Sequence, residues 1–525
     1  MLKNKHKFNA FTLAEMMVVM LIMSIVLAAM APVMTTKNKV DNSSPWKYSP
    51  NNSSDAYFGQ GASMRAMIGQ LNGEDTDNGK LIINNLGSSF SHILFKNGNT
   101  ILGDLYLNGT SLVLGNRRGN NPIGNENINI GHDNWPAGTI TGSSNITIGD
   151  ASMTSLTSGS HNIGLGTTLT SVTTGEHNIG IGDDSLTNIT GNGNIAIGGN
   201  ANATATTASK TIAIGTNSVA SSFGAIAIGS NLTSSEAHGA ALDAAQARVM
   251  NSIAIGNNAT SGASTGGGQY SIAIGTRAEA NSTDDSGSGA IAIGYYPSAN
   301  GTNSIAIGNN ANANITSGVA LGDDAGVGEN YAIAIGHSSR AEKICSIAIG
   351  NDSHASSNYG IAIGYNAKAP ASAYSTSPAA GNIAIGPGAM KYGKSSFGSV
   401  AIGIDALQNV DGGTNNIGIG HNTLYNTTSG WHNIALGYEA LKNNTTGTYN
   451  IALGYGAGNA STSPSYNTAV GAYTLYNNQT GGQNTALGYN ACQYVTGSNK
   501  TCIGANSGPA NNSDWASDDK ERIFI

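Results

Sequence analysis

Charge is what this sequence has least of. Lys and Arg number 23 and Asp and Glu 30, so charged residues make up 10 % of the 525, against roughly 25 % in an ordinary soluble domain. A conventional globular enzyme, with a charged surface around a large mixed core, is therefore disfavoured. Aromatics are 6 %, which also speaks against such a core. The net charge of −7 gives no reason to expect a nucleic-acid partner. Three cysteines cannot all pair within one chain, which argues against a disulfide scaffold. What is plentiful is glycine, 72 residues or about twice the usual share. Ile, Leu and Val recur in a strict pattern, which disfavours disorder.

The first ten residues carry Lys3, Lys5 and Lys7, and a mostly apolar run follows over 11–34. At ~1.5 Å rise per residue such a run is long enough to cross a bilayer as a helix. The basic flank predicts a cytoplasmic N-terminus. Glu15 lies early in the run, where an unpaired carboxylate costs ~2.5–3.5 kcal/mol, so it calls for a partner.

Ala10-Phe11-Thr12-Leu13-Ala14-Glu15 resembles the cleavage and methylation motif of type IV prepilins and pseudopilins. The resemblance implies that a prepilin peptidase cuts between Ala10 and Phe11 and that Phe11 is then N-methylated. It further implies that Glu15 pairs with the N-terminal amine of another pilin-like subunit during assembly. Ala10 departs from the usual Gly of that motif. A second departure is the polar, proline-bearing stretch from Asp41 to Ser54, which reads as a linker where pilins continue their helix.

From about residue 112 a short phrase recurs: apolar, small, apolar, Gly. The phrase glycines are 14 residues apart from Gly294 to Gly364 and 17 apart from Gly386 to Gly488. A fixed short period signals a solenoid, and 14–17 residues suit one β-coil of two short strands and two turns. The period-two alternation of Ile-Ala-Ile puts its branched residues on one face and its small residue on the other. The branched pair, Ile305 with Ile307 or Ile347 with Ile349, is expected to fill the coil. The small residue is Ala in most coils and otherwise Asn129, Thr147, Gly164, Gly180, Gly418 or Cys502. A column held this small implies close packing, either against the second strand of the same coil or against another chain. In the 17-residue coils Asn precedes the phrase, at Asn416, Asn433, Asn450, Asn467 and Asn484, and stacked amides are expected there. An apolar residue four after the glycine, such as Leu407 or Leu424, adds a second buried point.

Ser304-Ile305-Ala306-Ile307-Gly308 and Ser346-Ile347-Ala348-Ile349-Gly350 resemble the head repeats of trimeric autotransporter adhesins, the YadA-like head. That resemblance implies a left-handed parallel β-roll closed as a homotrimer. The small column, with Ala306, Ala334 and Ala348, is then the expected trimer interface. The resulting organisation is a leader over 1–10, a hydrophobic helix over 11–40, a linker and small β region over 41–111, the mostly β solenoid over 112–510 and a tail over 511–525. The abrupt apolar ending is compatible with a fragment.

Few residues offer chemistry. His161, His177 and His432 share a column, but no carboxylate or thiol stands beside them, so solvent-facing turns are expected and no metal. Asp183-Asp184 and Asp323-Asp324 read as turn formers. Tyr438 and Tyr455 are expected to pack between coils, with sugar stacking as the alternative. Cys492 and Cys502 fall in buried columns as thiols. Residues 234–249 suggest a short projecting helix. No catalytic site, cofactor or metal is expected. The reading is a surface-displayed structural adhesin, held in the inner membrane by its N-terminal helix with the bulk exported to the periplasm or cell surface. Its ligand is not legible. The alternatives are a minor pilin or pseudopilin and, with less support, a phage-fibre-like polysaccharide-binding or -degrading solenoid.

Overall fold

The computed structural model describes the strand residues 65–68, 80–86, 90–97, 100–108 and 111–115. It also describes 126–525 apart from 133, 135–139, 171, 188–190, 204–209, 233–242, 264–268, 283–288, 372–380 and 512–520. Two compact units are present, 1–108 and 109–525. In the first, Arg65–Ile68, Lys80–Leu86, Phe90–Asn97 and Thr100–Asn108 form an antiparallel meander. Its register shifts between Phe95 and Lys96.

The second unit is a parallel β-solenoid. Each phrase supplies one strand, and consecutive phrases pair in register: Ile291 on Ile305, Ile305 on Val319, Val319 on Ile333, Ile333 on Ile347. The ladder runs from Ser111–Gly115 through Lys500–Ile503. Arg522–Phe524, from the stretch read as a tail, pairs in parallel with the last of these and sets Phe524 opposite Cys502. A second parallel ladder of two-residue strands and single bridges continues from Asn202 to Lys368. Coils of 14 residues thus have the two strands expected. Insertions enter between strands without interrupting either ladder, since Val219 pairs with Gln246 across the longest interval. The end of the suggested helix over 234–249 is therefore strand at Gln246–Ala247, and 234–242 lies outside the described residues. In the 17-residue coils the second strand gives way to consecutive turns.

The face assignment of the phrase is the reverse of the sequence expectation. Ala306, Ala334 and Ala348 are completely buried within a single chain, while Ile305, Ile347 and Ile349 are only half-buried. Ile307 keeps 38 % of its surface exposed. The small column is the core of the roll and is not available to another chain, and the isoleucines stand on the outside. Alternation tells which residues share a face and not which face is inside. The deciding quantity is the thickness of the coil: a Cβ built on Gly360 lies 3.2 Å from the Cβ of Ala369 across the roll. At that separation facing side chains are small, and the larger Val327 is accommodated opposite Gly318. The core of a 14-residue coil is accordingly small residues such as Ser339, Ala341, Ser346 and Ala348.

The 17-residue coils are filled differently. Met390, Leu407, Leu424, Leu441 and Leu475 are buried from a left-handed backbone position, with φ of 50°, 49°, 51°, 48° and 47°. A leucine there pays local backbone strain that its burial offsets. Beside this column runs the expected amide ladder. Nδ2 of Asn433, Asn450 and Asn467 donates to Oδ1 of the Asn one coil earlier at 3.1, 3.0 and 3.2 Å. Each Nδ2 also donates to a corner carbonyl of Gly447, Pro464 or Gly481. Each Oδ1 of Asn416, Asn433 and Asn450 accepts a backbone N–H as well, so the buried amides are satisfied as interior polar groups require. A second such ladder joins Asn127, Asn145, Asn162, Asn178 and Asn194. Lys500 takes the column's place after Asn484 and is itself buried, its Nζ donating to the Ser498 carbonyl at 2.9 Å.

The phrase glycines take positive φ, as expected. At Gly336 φ is 127°, and an added Cβ would sit 2.5 Å from the Gly350 carbonyl oxygen, so the column admits glycine for two independent reasons. The cysteines correct a further expectation: Cys492 and Cys502 are joined as a disulfide across adjacent coils, while Cys345 is free and half-buried. One pair and one leftover thiol satisfy the odd count.

Candidate functional site

The outer face of the phrase ladder is the surface this fold builds most insistently. Its alternate residues point outward, so in-register stacking turns them into columns. Each coil presents two central aliphatic residues and one marginal residue on either side. In coil 432–438 these are His432, Ile434, Leu436 and Tyr438; in coil 449–455 they are Tyr449, Ile451, Leu453 and Tyr455. Ile434, Leu436, Tyr438, Tyr449, Ile451 and Tyr455 are all exposed.

The margins differ between blocks. In the 14-residue block one margin reads Asn309, Asp323, His337, Asn351. Asn309 Nδ2 donates to Asp323 Oδ1 at 2.6 Å, and His337 Nε2 lies 3.4 Å from Asp323 Oδ2. An exposed pair joins Lys343 to Glu329 at 2.8 Å, and the half-buried His354 lies 3.0 Å from Glu342. The hydrogen bond to Glu329, helped by its charge, holds the Lys343 ammonium above its ordinary value.

In the 17-residue block the margins are aromatic. His421, Tyr438 and Tyr455 stack at 5.1 and 4.9 Å with rings 6° and 9° apart, and Tyr473 meets Tyr455 edge-on. The opposite margin stacks His432, Tyr449 and Tyr466, each step 5.1 Å and 14°. Tyr438 and Tyr455 thus cover one another's faces, as packing between coils requires. Partial desolvation and the neighbouring Tyr455 and Tyr489 hold the Tyr473 phenol above its usual value. Glu439 and Lys442 pair at 2.7 Å. That hydrogen bond lowers the Glu439 carboxyl against the opposing effect of burial, with Asn422 and Asn459 assisting, and Lys442 is raised by the same contact.

The other candidate residues are dispersed. His161 and His177, which share a column as expected, stack in adjacent coils at 4.8 Å and 3°. Asp184 and Asp324 occupy left-handed turn positions, both with φ of 53°. Among the described residues no group of three His, Cys, Asp or Glu could hold a metal ion, and no helix is long and apolar enough to cross a membrane. Ala10, Phe11, Glu15 and the apolar run lie outside the described residues. The disulfide and the outward columns were missed by the sequence reading. The only signal for the former was that Cys492 and Cys502 replace a leucine and an alanine that pack in successive coils.

No curated protein matches this chain. Residues 5–31 match the prokaryotic N-terminal methylation motif. YadA head domain repeats match over 207–231, 243–261, 267–296, 299–325 and 346–367, all within the part of the solenoid that carries the second ladder. Both are families of non-enzymatic structural proteins. The first implies processing by prepilin peptidase and an exported, membrane-anchored, pilin-like protein. This chain therefore carries a prepilin-type methylation segment at its N-terminus and YadA head repeats in its parallel β-solenoid.

Proposed function

We propose that the protein is a surface-displayed, adhesin-like rod, anchored by its prepilin-type segment and assembled as a homotrimer through the outward isoleucine columns. The observation that carries the proposal is the continuous strip formed by residues such as Ile305, Ile307, Ile333, Ile335, Ile347 and Ile349. Each is left half-buried or exposed on a single chain, and each is stacked in register on the next. Contiguous apolar strips of this length mark interaction surfaces. A strip repeated identically along a rod suits a second and third copy carrying the same strip, in the left-handed, threefold-closed arrangement that the head-repeat resemblance implies. Covering that face also explains how the chain does with so little charge. The Cys492–Cys502 disulfide supports an oxidising compartment outside the cytoplasm. Cleavage after Ala10, methylation of Phe11 and pairing of Glu15 with a neighbouring amine complete the reading. Repetition along three chains would make weak contacts cumulative.

The test is the mass of the full chain in detergent by light scattering. The wild type is expected to be trimeric and Ile335→Asp monomeric, with the circular dichroism of the roll retained. A monomeric wild type, or a trimer indifferent to Ile335→Asp, would refute the assembly. N-terminal peptide mass should show methylated Phe11 as the first residue.

A further inference from the structure

We propose that Trp431 and the hydroxyl-bearing corners around it form a binding site for a neutral polysaccharide. Trp431 stands just before the strand Ile434–Leu436, at the edge of the aromatic margin. Its indole meets His432 at 5.0 Å and 67° and Tyr449 at 4.7 Å and 68°. Those two rings are stacked on each other, one coil apart along the rod. A ring perpendicular to both members of a stack, and within 5 Å of both centroids, can only lie broadside on their edges. An edge-to-edge placement would put the centroids well beyond that distance. One indole face therefore rests on His432 and Tyr449. Trp431 keeps 40 % of its surface exposed, and the face away from those two rings is the one this contact leaves for a ligand.

Tyr438, with His421 stacked on one face and Tyr455 on the other, offers no such platform. The neighbours of Trp431 supply the rest of the chemistry. The adjoining corners present Thr428, Ser429, Thr446, Thr462 and Ser463 to solvent. The threonines are oriented by donating Oγ1 along the rod: Thr428 to the Thr445 carbonyl at 3.1 Å and Thr462 to that of Gln479 at 3.1 Å. Their lone pairs remain able to accept. Apart from His432, the segments 426–434, 443–451 and 460–468 contain no ionisable group but the Tyr449 and Tyr466 phenols, and no Asp, Glu, Lys or Arg. A fixed aromatic face bordered by ordered hydroxyls, without charge, suits the apolar face and hydroxyl rim of an uncharged sugar. It does not suit an acidic polymer or a charged peptide.

This names a ligand class for the attachment role proposed above. It rests on that reading for where the ligand is met and not for binding itself, which one chain suffices to provide. The test is affinity electrophoresis of the full chain in detergent through native gels containing hydroxyethylcellulose, galactomannan or xylan, with polygalacturonate as the charged control. At least one neutral polymer should retard the protein. Trp431→Ala should weaken that retardation by about tenfold, the loss of one aromatic face, while leaving the oligomeric mass unchanged; Tyr438→Ala should not. Ile335→Asp should lower avidity and leave the dependence on Trp431 in place, so failure of assembly and failure of the site are separable. No retardation by any neutral polymer, or retardation indifferent to Trp431→Ala, would overturn the proposal. So would binding to an immobilised unglycosylated protein that Trp431→Ala abolishes while no polysaccharide is bound.

Discussion

The 14-residue and 17-residue blocks of the solenoid share one phrase and one ladder, yet they are filled by opposite means. The 14-residue coils bring their walls so close that the core is mostly alanine and serine, and backbone pairing on two ladders holds each coil. The 17-residue coils give up the second ladder. Their three extra residues make room for a buried leucine in four coils, with Met390, Gly458 and Cys492 at that position in the others, and for a buried asparagine in all but one, where Ser399 stands instead. The comparison teaches that coil length, more than residue type, sets what a solenoid can use as core. The outward face follows the same division, with polar and charged margins on the tight coils and stacked rings on the wide ones.

The division can be broken most severely at the leucine column. Leu424→Ala should cost about 2–5 kcal/mol, since a fully buried side chain is removed from a roll that cannot collapse. Because repeats unfold locally, the readout is faster hydrogen exchange of amides 407–441. Unchanged protection would mean that the wide coils do not depend on that column.

Asn450→Ala comes next. It strands the backbone N–H of Asn467 and one of its two Nδ2 hydrogens, the other still donating to the Gly481 carbonyl, at about 1–3 kcal/mol for a stranded group. Ser304→Ala, at the same position of a tight coil, removes only the bond from Oγ to the Gly301 carbonyl and should cost about 1 kcal/mol. Equal melting shifts for the two variants would remove the distinction between the blocks.

For the tight coils the damaging change is addition. Ala334→Leu should destabilise by about 1–3 kcal/mol through overpacking, and should do so in a monomeric Ile335→Asp background as well. An effect confined to the trimer would restore the alanine column as an interface.

The smallest effect belongs to Glu439. Its carboxyl is held low in the fold, so the pair with Lys442 stabilises above the unfolded carboxylate value of about 4.3. That contribution fades as pH falls through the folded value. Glu439→Gln should therefore lose at most about 1 kcal/mol near neutrality and flatten the acid limb of a pH–melting curve. An acid limb of unchanged slope would show that the pair contributes nothing.

Much of this was legible beforehand. The phrase spacing gave the strands, their parallel stacking, the amide ladder and the buried Leu407 and Leu424, because each depends on periodicity alone. The orientation of Ile305-Ala306-Ile307 was not legible. Hydrophobicity favours branched residues inside, and only the distance between facing strands, a property of the closed coil, excludes them. The pairing of Cys492 with Cys502 likewise needs two coils in place before the thiols meet. Trp431 gave no signal at all, since its platform is made by rings seventeen residues apart.

The in-register ladders also make length a countable quantity. Removing residues 309–322 would join Gly308 directly to Asp323 and set Ile333 on Ile305, with every column preserved and the rod one coil shorter. Nothing else in the molecule would need to change. A lineage carrying such a gene can lengthen or shorten the solenoid by duplicating or losing fourteen or seventeen codons. The length of the solenoid is thus open to selection independently of what any one coil presents.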